Sequence, residues 1–348
     1  MAYTTIDDPS AHFQANAYSG SSNPQTITND GNSDLQPDWL WSKRRDSAAP
    51  HYLFDSTRGV NSSLSSDDLD AEDTATGYLA SFDSDGFTTG SDSALAYNGR
   101  TYVAWQWKAN GGTTSSNSSG SITSTVQANT TAGFSIVAYT GTGSTATVGH
   151  SLGVIPSWII IKSRNTSSRH WSTYHSSLGA TKYVFLDDTD TVITSSSRFN
   201  DTAPTSSVFT VKTDGDVNGN GTNHIAYCFA EIQGYSKFGS YEANASADGP
   251  FIYTGFKPAL ILFKNIDNAN NWVIHDNKRG AFNVNDEQLS PNNSNAEATD
   301  SAKMDFLSNG FKIRVDSQGV NNSGHTIIYM AFAHHPFVSS KGVPVTAG

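Results

Sequence analysis

The chain has 348 residues, of which 15% are charged and 11% aromatic, with a formal net charge of −11. That balance argues against a nucleic-acid partner, which needs a basic surface to displace counterions. No apolar stretch reaches the roughly 18 residues of a membrane-spanning helix, and a single cysteine, Cys228, allows neither an intrachain disulfide nor a cysteine-based metal cluster.

The first residues, Met1 to Asp8, lack the basic and apolar regions of a secretory signal, so cytoplasmic synthesis without membrane insertion is expected. After an N-terminal segment (1–11), Phe13-Gln-Ala-Asn-Ala-Tyr18-Ser-Gly20 reads as a strand. Pro37-Asp-Trp-Leu-Trp-Ser-Lys43 follows, then Tyr52, Gly59, an Asp85-Gly86-Phe87 turn and the apolar run Tyr102-Val-Ala-Trp-Gln-Trp107. The same order returns in Phe134-Ser-Ile-Val-Ala-Tyr139-Thr-Gly141, Pro156-Ser-Trp-Ile-Ile-Ile-Lys162, Trp171, Gly179, Phe209 and Ile225-Ala-Tyr-Cys-Phe229. A third round runs through a shortened Phe251-Ile-Tyr253-Thr-Gly255, Pro258-Ala-Leu-Ile-Leu-Phe-Lys264, Trp272, Gly280, Asn309-Gly310-Phe311 and Ile328 to Phe332.

Five landmarks kept in step define an internal repeat of about 100 to 120 residues, long enough for each copy to hold its own core. The runs are β-branched or aromatic and bounded by Gly or Asn, and none carries a long helical stripe. The fold expected is all-β: three tandem β-sandwich domains at 12–109, 133–240 and 241–348. Residues 110–132, rich in Ser, Thr and Gly, read as an extended or flexible linker. The aromatic residues kept at the second junction imply that the last two units pack more closely on each other than the first does on either.

Candidate chemistry is sparse. Asp214-Gly-Asp216-Val-Asn218-Gly219 fits the first half of a calcium loop, but Ile225 stands where the bidentate carboxylate belongs, so a plain turn is the preferred reading. Asp83-Ser-Asp85-Gly86 loses its carboxylates in the third copy, at Leu307-Ser-Asn309-Gly310. The acidic run from Asp67 to Asp73 reads as a solvated loop, and Lys43-Arg44-Arg45 as a solvated strand end. His175 and His275 each follow an aligned tryptophan, which suggests a shared structural hydrogen bond; His334-His335 has no third ligand at metal spacing. Trp39, Trp41, Trp107 and Trp158 align with apolar residues in the other copies, so they read as core and not as sugar platforms. Cys228 reads as a buried filler. No catalytic, cofactor-binding or metal-ligating residue is assigned.

Several strings carry a resemblance: Tyr3-Thr-Thr-Ile-Asp-Asp-Pro-Ser10, Leu35-Gln-Pro-Asp-Trp-Leu-Trp-Ser-Lys43, Phe54-Asp-Ser-Thr-Arg-Gly59, Tyr102-Val-Ala-Trp-Gln-Trp-Lys108, Gly239-Ser-Tyr241 and Tyr329-Met-Ala-Phe-Ala333. The chain resembles, over essentially its whole length, the repeat-containing structural proteins of marine bacteriophages, tail-fibre-like or concanavalin-like. Two positions depart from that pattern: Leu178-Gly179 replaces the Arg-Gly of the other copies, and His334-His335 stands where an acidic residue is expected. The resemblance implies jelly-roll or concanavalin-like sandwiches and a non-enzymatic virion component. Its partners would be other tail or capsid proteins, further copies of itself as a homo-oligomer such as a trimer, and a host surface glycan. The expected role is a tail-fibre or spike adhesin, with capsid decoration or a head fibre as the alternative and a glycan depolymerase as a distant third.

Overall fold

The apolar runs that open and close each copy lie side by side in the computed structural model, which describes residues 3–21, 23–74, 76–299, 302–316 and 319–345. The first copy contains β1 (Phe13–Ser19), β2 (Thr26–Ile27), β3 (Trp39–Arg44), β4 (His51–Asp55), β5 (Leu64–Ser65), β6 (Leu79–Asp83), β7 (Gly86–Thr89) and β8 (Thr101–Trp107). Its inner sheet has the order β1-β8-β3-β4-β5 and its outer sheet β2-β7-β6.

In the second copy the strands are β9 (Ser115–Asn117), β10 (Ser124–Asn129), β11 (Phe134–Thr140), β12 (Ala146–Gly149), β13 (Trp158–Ser163), β14 (Ser172–His175), β15 (Lys182–Phe185), β16 (Ile193–Thr194), β17 (Val208–Val211) and β18 (Asn223–Phe229). They form an inner sheet β16-β15-β14-β13-β18-β11-β10-β9 and an outer pair β12-β17. The third copy supplies β19 (Ser236–Glu242), β20 (Phe251–Tyr253), β21 (Phe256–Asn265), β22 (Val273–Asp276), β23 (Met304–Leu307), β24 (Gly310–Ile313) and β25 (Thr326–Pro336). Its sheets are β19-β25-β21-β22 and β20-β24-β23. The protein is all-β, with antiparallel sheets stacked as sandwiches.

Strand register identifies equivalent residues. Trp39 faces Trp107, Trp158 faces Phe229 and Leu260 faces Phe332. On the other side of those residues lie Phe13, Phe134 and Ser236, so β19 is the third opening strand. This corrects the match to Phe251-Ile-Tyr253-Thr-Gly255, which forms β20 in the outer sheet. The residue preserved is the tyrosine five positions on: Tyr18, Tyr139 and Tyr241 donate to the carbonyls of Leu95, Val217 and Val320 at 2.8, 2.6 and 2.7 Å. A unit boundary between residues 240 and 241 falls within β19.

The stretch 110–132 is also not a loose connector. It contributes β9 and β10, and β10 extends the second inner sheet by pairing Thr125 with Ala138 through to Asn129 with Phe134. Both Gly-containing turns are two-residue hairpins, with each glycine one place past the turn and Gly86 at a positive φ of 103°. Asp83 pairs with Gly86 and Leu307 with Gly310, so each glycine opens a strand after the turn. A Cβ there would meet the carbonyl oxygen of the adjacent strand, at 2.0 Å from Ile27 for Gly86 and 2.1 Å from Ile252 for Gly310.

Successive strand residues point to opposite faces, and both faces of the inner sheets are buried. Trp39, Trp158 and Leu260 point into one core shared by all three copies, while their neighbours Leu40, Ile159 and Ile261 point into separate cores between inner and outer sheets. That double burial is why these runs read as continuously apolar. The first copy packs tightly on both others, with Trp39 and Tyr227 ring centroids 4.4 Å apart and Phe13 and Phe332 5.3 Å apart. It is therefore not the looser unit that the long linker suggested.

Candidate functional site

The lysine that ends each repeated run is buried. Each ammonium group reaches a backbone carbonyl of a different copy. Lys43 donates to Ser294 at 3.2 Å, Lys162 to Asp68 at 3.4 Å and Lys264 to Thr189 at 2.8 Å. Each also donates to a second carbonyl near its own strand end: Arg44 at 2.9 Å, Arg169 at 2.6 Å and Asn270 at 2.8 Å. Burial draws the Lys43 and Lys264 pKa values down to about 8 and lowers that of Lys162. The same loops make backbone bonds two residues past each lysine. Glu297, Glu72 and Val192 N–H donate to Arg45, Arg164 and Ile266 carbonyls at 2.7, 2.6 and 2.9 Å. The third copy thus clasps the first, the first clasps the second and the second clasps the third, closing a cycle.

Ion pairs reinforce two of these junctions. At one, Arg58 pairs with Asp55 at 2.5 Å and with Glu72 at 2.9 Å, and Glu72 also holds Arg164 at 2.8 Å. At the other, Arg279 pairs with Asp276 at 2.6 Å and Glu297 at 3.0 Å, and Glu297 holds Arg45 at 2.7 Å. Both central arginine–aspartate pairs are fully buried. Tyr227 OH donates to Asp55 at 2.8 Å and Trp105 Nε1 to Asp276 at 3.0 Å, each across a copy boundary. The remaining junction places Leu178, Val192 and Ile266 at the equivalent positions, packed with the shared core. The Leu-Gly departure in the second copy is one part of a matched apolar set.

The two charged runs of the first copy take part in these junctions. Lys43-Arg44-Arg45 is not a solvated strand end, because Lys43 is buried and Arg45 is bidentate to Glu297. Nor is Asp67 to Asp73 a solvated loop. It docks on the second copy through Asp68 and Glu72, and Asp67 accepts the His51 N–H at 2.8 Å. Burial raises the Asp67 pKa to about 6.

Where the first and third copies meet, an open polar cleft of about 160 Å³ remains, lined by Asp8, Asp30, Asn277, Lys278, His334 and His335 over a floor that includes Phe13 and Ala259. Lys278 Nζ bridges both Asp30 oxygens at 2.7 and 2.8 Å. The His334 and His335 rings lie 4.0 Å apart. Burial, helped by His335 and Lys257, draws the His334 pKa to about 4, and burial lowers His335 as well. A second hollow of about 210 Å³ adjoins it, sharing Asn277 and His334 and bordered by Lys257 and Phe282. Phe282 is 86% exposed. At the seam between the first two copies, the residues equivalent to Asn277 and Lys278 are covered: Gln127 Nε2 donates to Ser56 Oγ at 3.0 Å and Thr57 Oγ1 at 2.7 Å.

A profile for a domain of unknown function, DUF7483, matches residues 8–336. The chain belongs to this family. The DUF7483 match runs from the N-terminal segment to the end of β25, so it embraces all three copies and their clasps. No curated protein and no solved structure matches the chain.

The other sequence candidates have structural roles within the DUF7483 body. Asp214 caps the short helix α1 (Gly215–Asn218), Asp216 pairs with Arg198, and buried Asn218 bonds Thr142, Ser144 and Lys212 backbone groups. Asn321 makes the same kind of plug in the third copy, to Asn244, Ser246 and Val315. Among the described residues, no group of three or more His, Cys, Asp or Glu is placed to hold a metal ion. All seven tryptophans are fully buried, as is Cys228. His175 and His275 do not share a bond: His175 occupies the position of Asp55 and Asp276 and contacts the Tyr329 carbonyl at 3.2 Å, whereas His275 contacts Asn285 Oδ1 at 3.0 Å.

Proposed function

We propose that this protein is a bacteriophage virion structural component exposed on the particle, most simply a tail-fibre or spike-type adhesin for a host surface receptor or glycan. The observation that carries the reading is the cyclic set of clasps. Buried lysines, arginines and carboxylates are committed to joining the three copies, as suits a rigid scaffold that presents surface loops to a partner. The sequence resemblance to marine phage structural proteins supports the virion setting. Assembly with other tail or capsid proteins, and a homo-oligomer such as a trimer, belong to the same proposal; light scattering that returned a clean monomer would remove the trimer.

Capsid decoration is the second reading. It is favoured by Phe251 and Tyr253, both exposed on the edge strand β20, where an adjoining virion protein would find an apolar contact. Gold-labelled antibody on intact particles separates the two. Label at the tail tip supports the adhesin, label over the head supports decoration, and particles without label overturn the virion assignment.

A further inference from the structure

We infer that the open seam between the first and third copies is a binding site for a neutral saccharide, one sugar ring lying against Phe282 and its hydroxyls meeting Asp30, Asn277, Lys278 and His335. The inference rests on the adhesin reading only for the source of the sugar.

The chemistry of the lining selects the ligand class. Its carboxylates, Asp8 and Asp30, are balanced by Lys278 and Lys257, and the two histidines have lowered pKa values and are neutral at pH 7. An anionic ligand would meet as much repulsion as attraction. A ligand rich in hydroxyls would find acceptors and donors together: carboxylate oxygens, an amide, an ammonium group and imidazole nitrogens. The Asp30–Lys278 pair is partly exposed, so its groups can turn toward a ligand at small cost. One buried polar atom, His334 Nδ1, has no protein partner.

Shape points the same way. Phe282 is the most exposed large apolar side chain among the described residues, and its ring borders the second hollow. A sugar offers an apolar face of C–H groups to such a ring and hydroxyl edges to the polar wall. The hollows of about 160 and 210 Å³ share Asn277 and His334, and together reach the lower end of the volumes that hold small ligands. At the seam where Gln127 caps Ser56 and Thr57, the corresponding groups are already satisfied.

Saturation-transfer NMR on the full chain tests this, using the methyl glycosides of glucose, galactose, mannose and N-acetylglucosamine, with methyl glucuronoside and a sialoside as anionic controls. At least one neutral glycoside should bind with a Kd on the order of 1 mM and the anionic ones more weakly. Phe282→Ala and Asp30→Asn should each weaken binding about tenfold while leaving thermal unfolding unchanged. No transfer from any neutral glycoside, preference for the anionic controls, or affinity unchanged in both variants would overturn the inference. If the sugars fail yet antibody labels the tail tip, the adhesin reading stands with a different receptor.

Discussion

Replacing Arg279 by leucine would show what a charged junction contributes. Its guanidinium donates to Asp276 at 2.6 Å, Glu297 at 3.0 Å and the Ile274 carbonyl at 2.9 Å, with no side-chain exposure. Burial alone would raise the Asp276 pKa, but Arg279 holds it below the usual value. Arg279→Leu leaves the fully buried Asp276 carboxylate without its cation, while Glu297 keeps only Arg45. Breaking such a pair costs about 3–5 kcal/mol, a large share of the roughly 5–15 kcal/mol that keeps a protein folded. Asp276 would then take up a proton more readily when folded than when unfolded, so the deficit should shrink as pH falls toward its unfolded pKa of about 4. The protein also contains its own control. Installing the second junction's residues together (Arg45→Ile, Asp276→His, Arg279→Leu and Glu297→Val) should recover stability to within about 1.5 kcal/mol of the parent, because three apolar side chains and a neutral imidazole replace the whole buried charged set. Urea denaturation followed by tryptophan fluorescence measures both variants. A single-variant loss under about 1 kcal/mol, or a quadruple variant no better than the single one, would refute the reasoning.

Other consequences follow from the same packing. Lys43 and Lys264 lose protons more easily when folded, with pKa values near 8 against about 10.4 unfolded, so the unfolded chain binds more protons in that window and stability should rise from pH 8 toward 10. Above about pH 10, buried tyrosines such as Tyr18 and Tyr227, whose pKa values burial raises, should reverse the trend; a flat or falling denaturation profile between pH 8 and 9.5 would contradict this. In acid, His175, His224 and His275, drawn to about 4 by burial, favour the folded state above pH 6.5 and should cost stability as pH drops from there toward 4, opposed in part by Asp67. Replacing these histidines by glutamine should flatten the acid limb of the same titration. Cys228, fully buried, should react with a thiol reagent only at the rate of global unfolding, and rapid labelling of the native chain would show local opening. Gly310→Ala should destabilise by about 1–3 kcal/mol, since its Cβ would strike the Ile252 carbonyl; an unchanged midpoint would mean that β20 yields freely.

The sandwich class, the repeat and the tryptophan core were legible in sequence because apolar runs flanked by turn residues leave a local imprint. Their pairing into doubly buried sheets also accounts for runs that lack the alternation of a half-exposed strand. The clasps were hidden because charge partners lie far apart, Arg45 and Glu297 being 252 residues from each other. A local window shows only a cluster of charges and suggests solvent. The usable signal was concerted change between copies: Arg58, Glu72 and Arg164 match Arg279, Glu297 and Arg45, while Leu178, Val192 and Ile266 replace all three at once. The third opening strand was misplaced because Ser236 stands where Phe13 and Phe134 set the pattern, leaving Tyr241 as the better marker. The cleft was invisible for a different reason, since Asp30, Lys278 and His334 meet only through the cyclic arrangement of the copies.

The central claim is that the three copies form one mutually clasped scaffold, and equilibrium unfolding of the whole chain tests it most directly. Tryptophan fluorescence, far-ultraviolet circular dichroism and Cys228 accessibility should change together in a single transition with one midpoint. Separate midpoints, with the second copy keeping Cys228 protected after the tryptophans of the first are exposed, would contradict it.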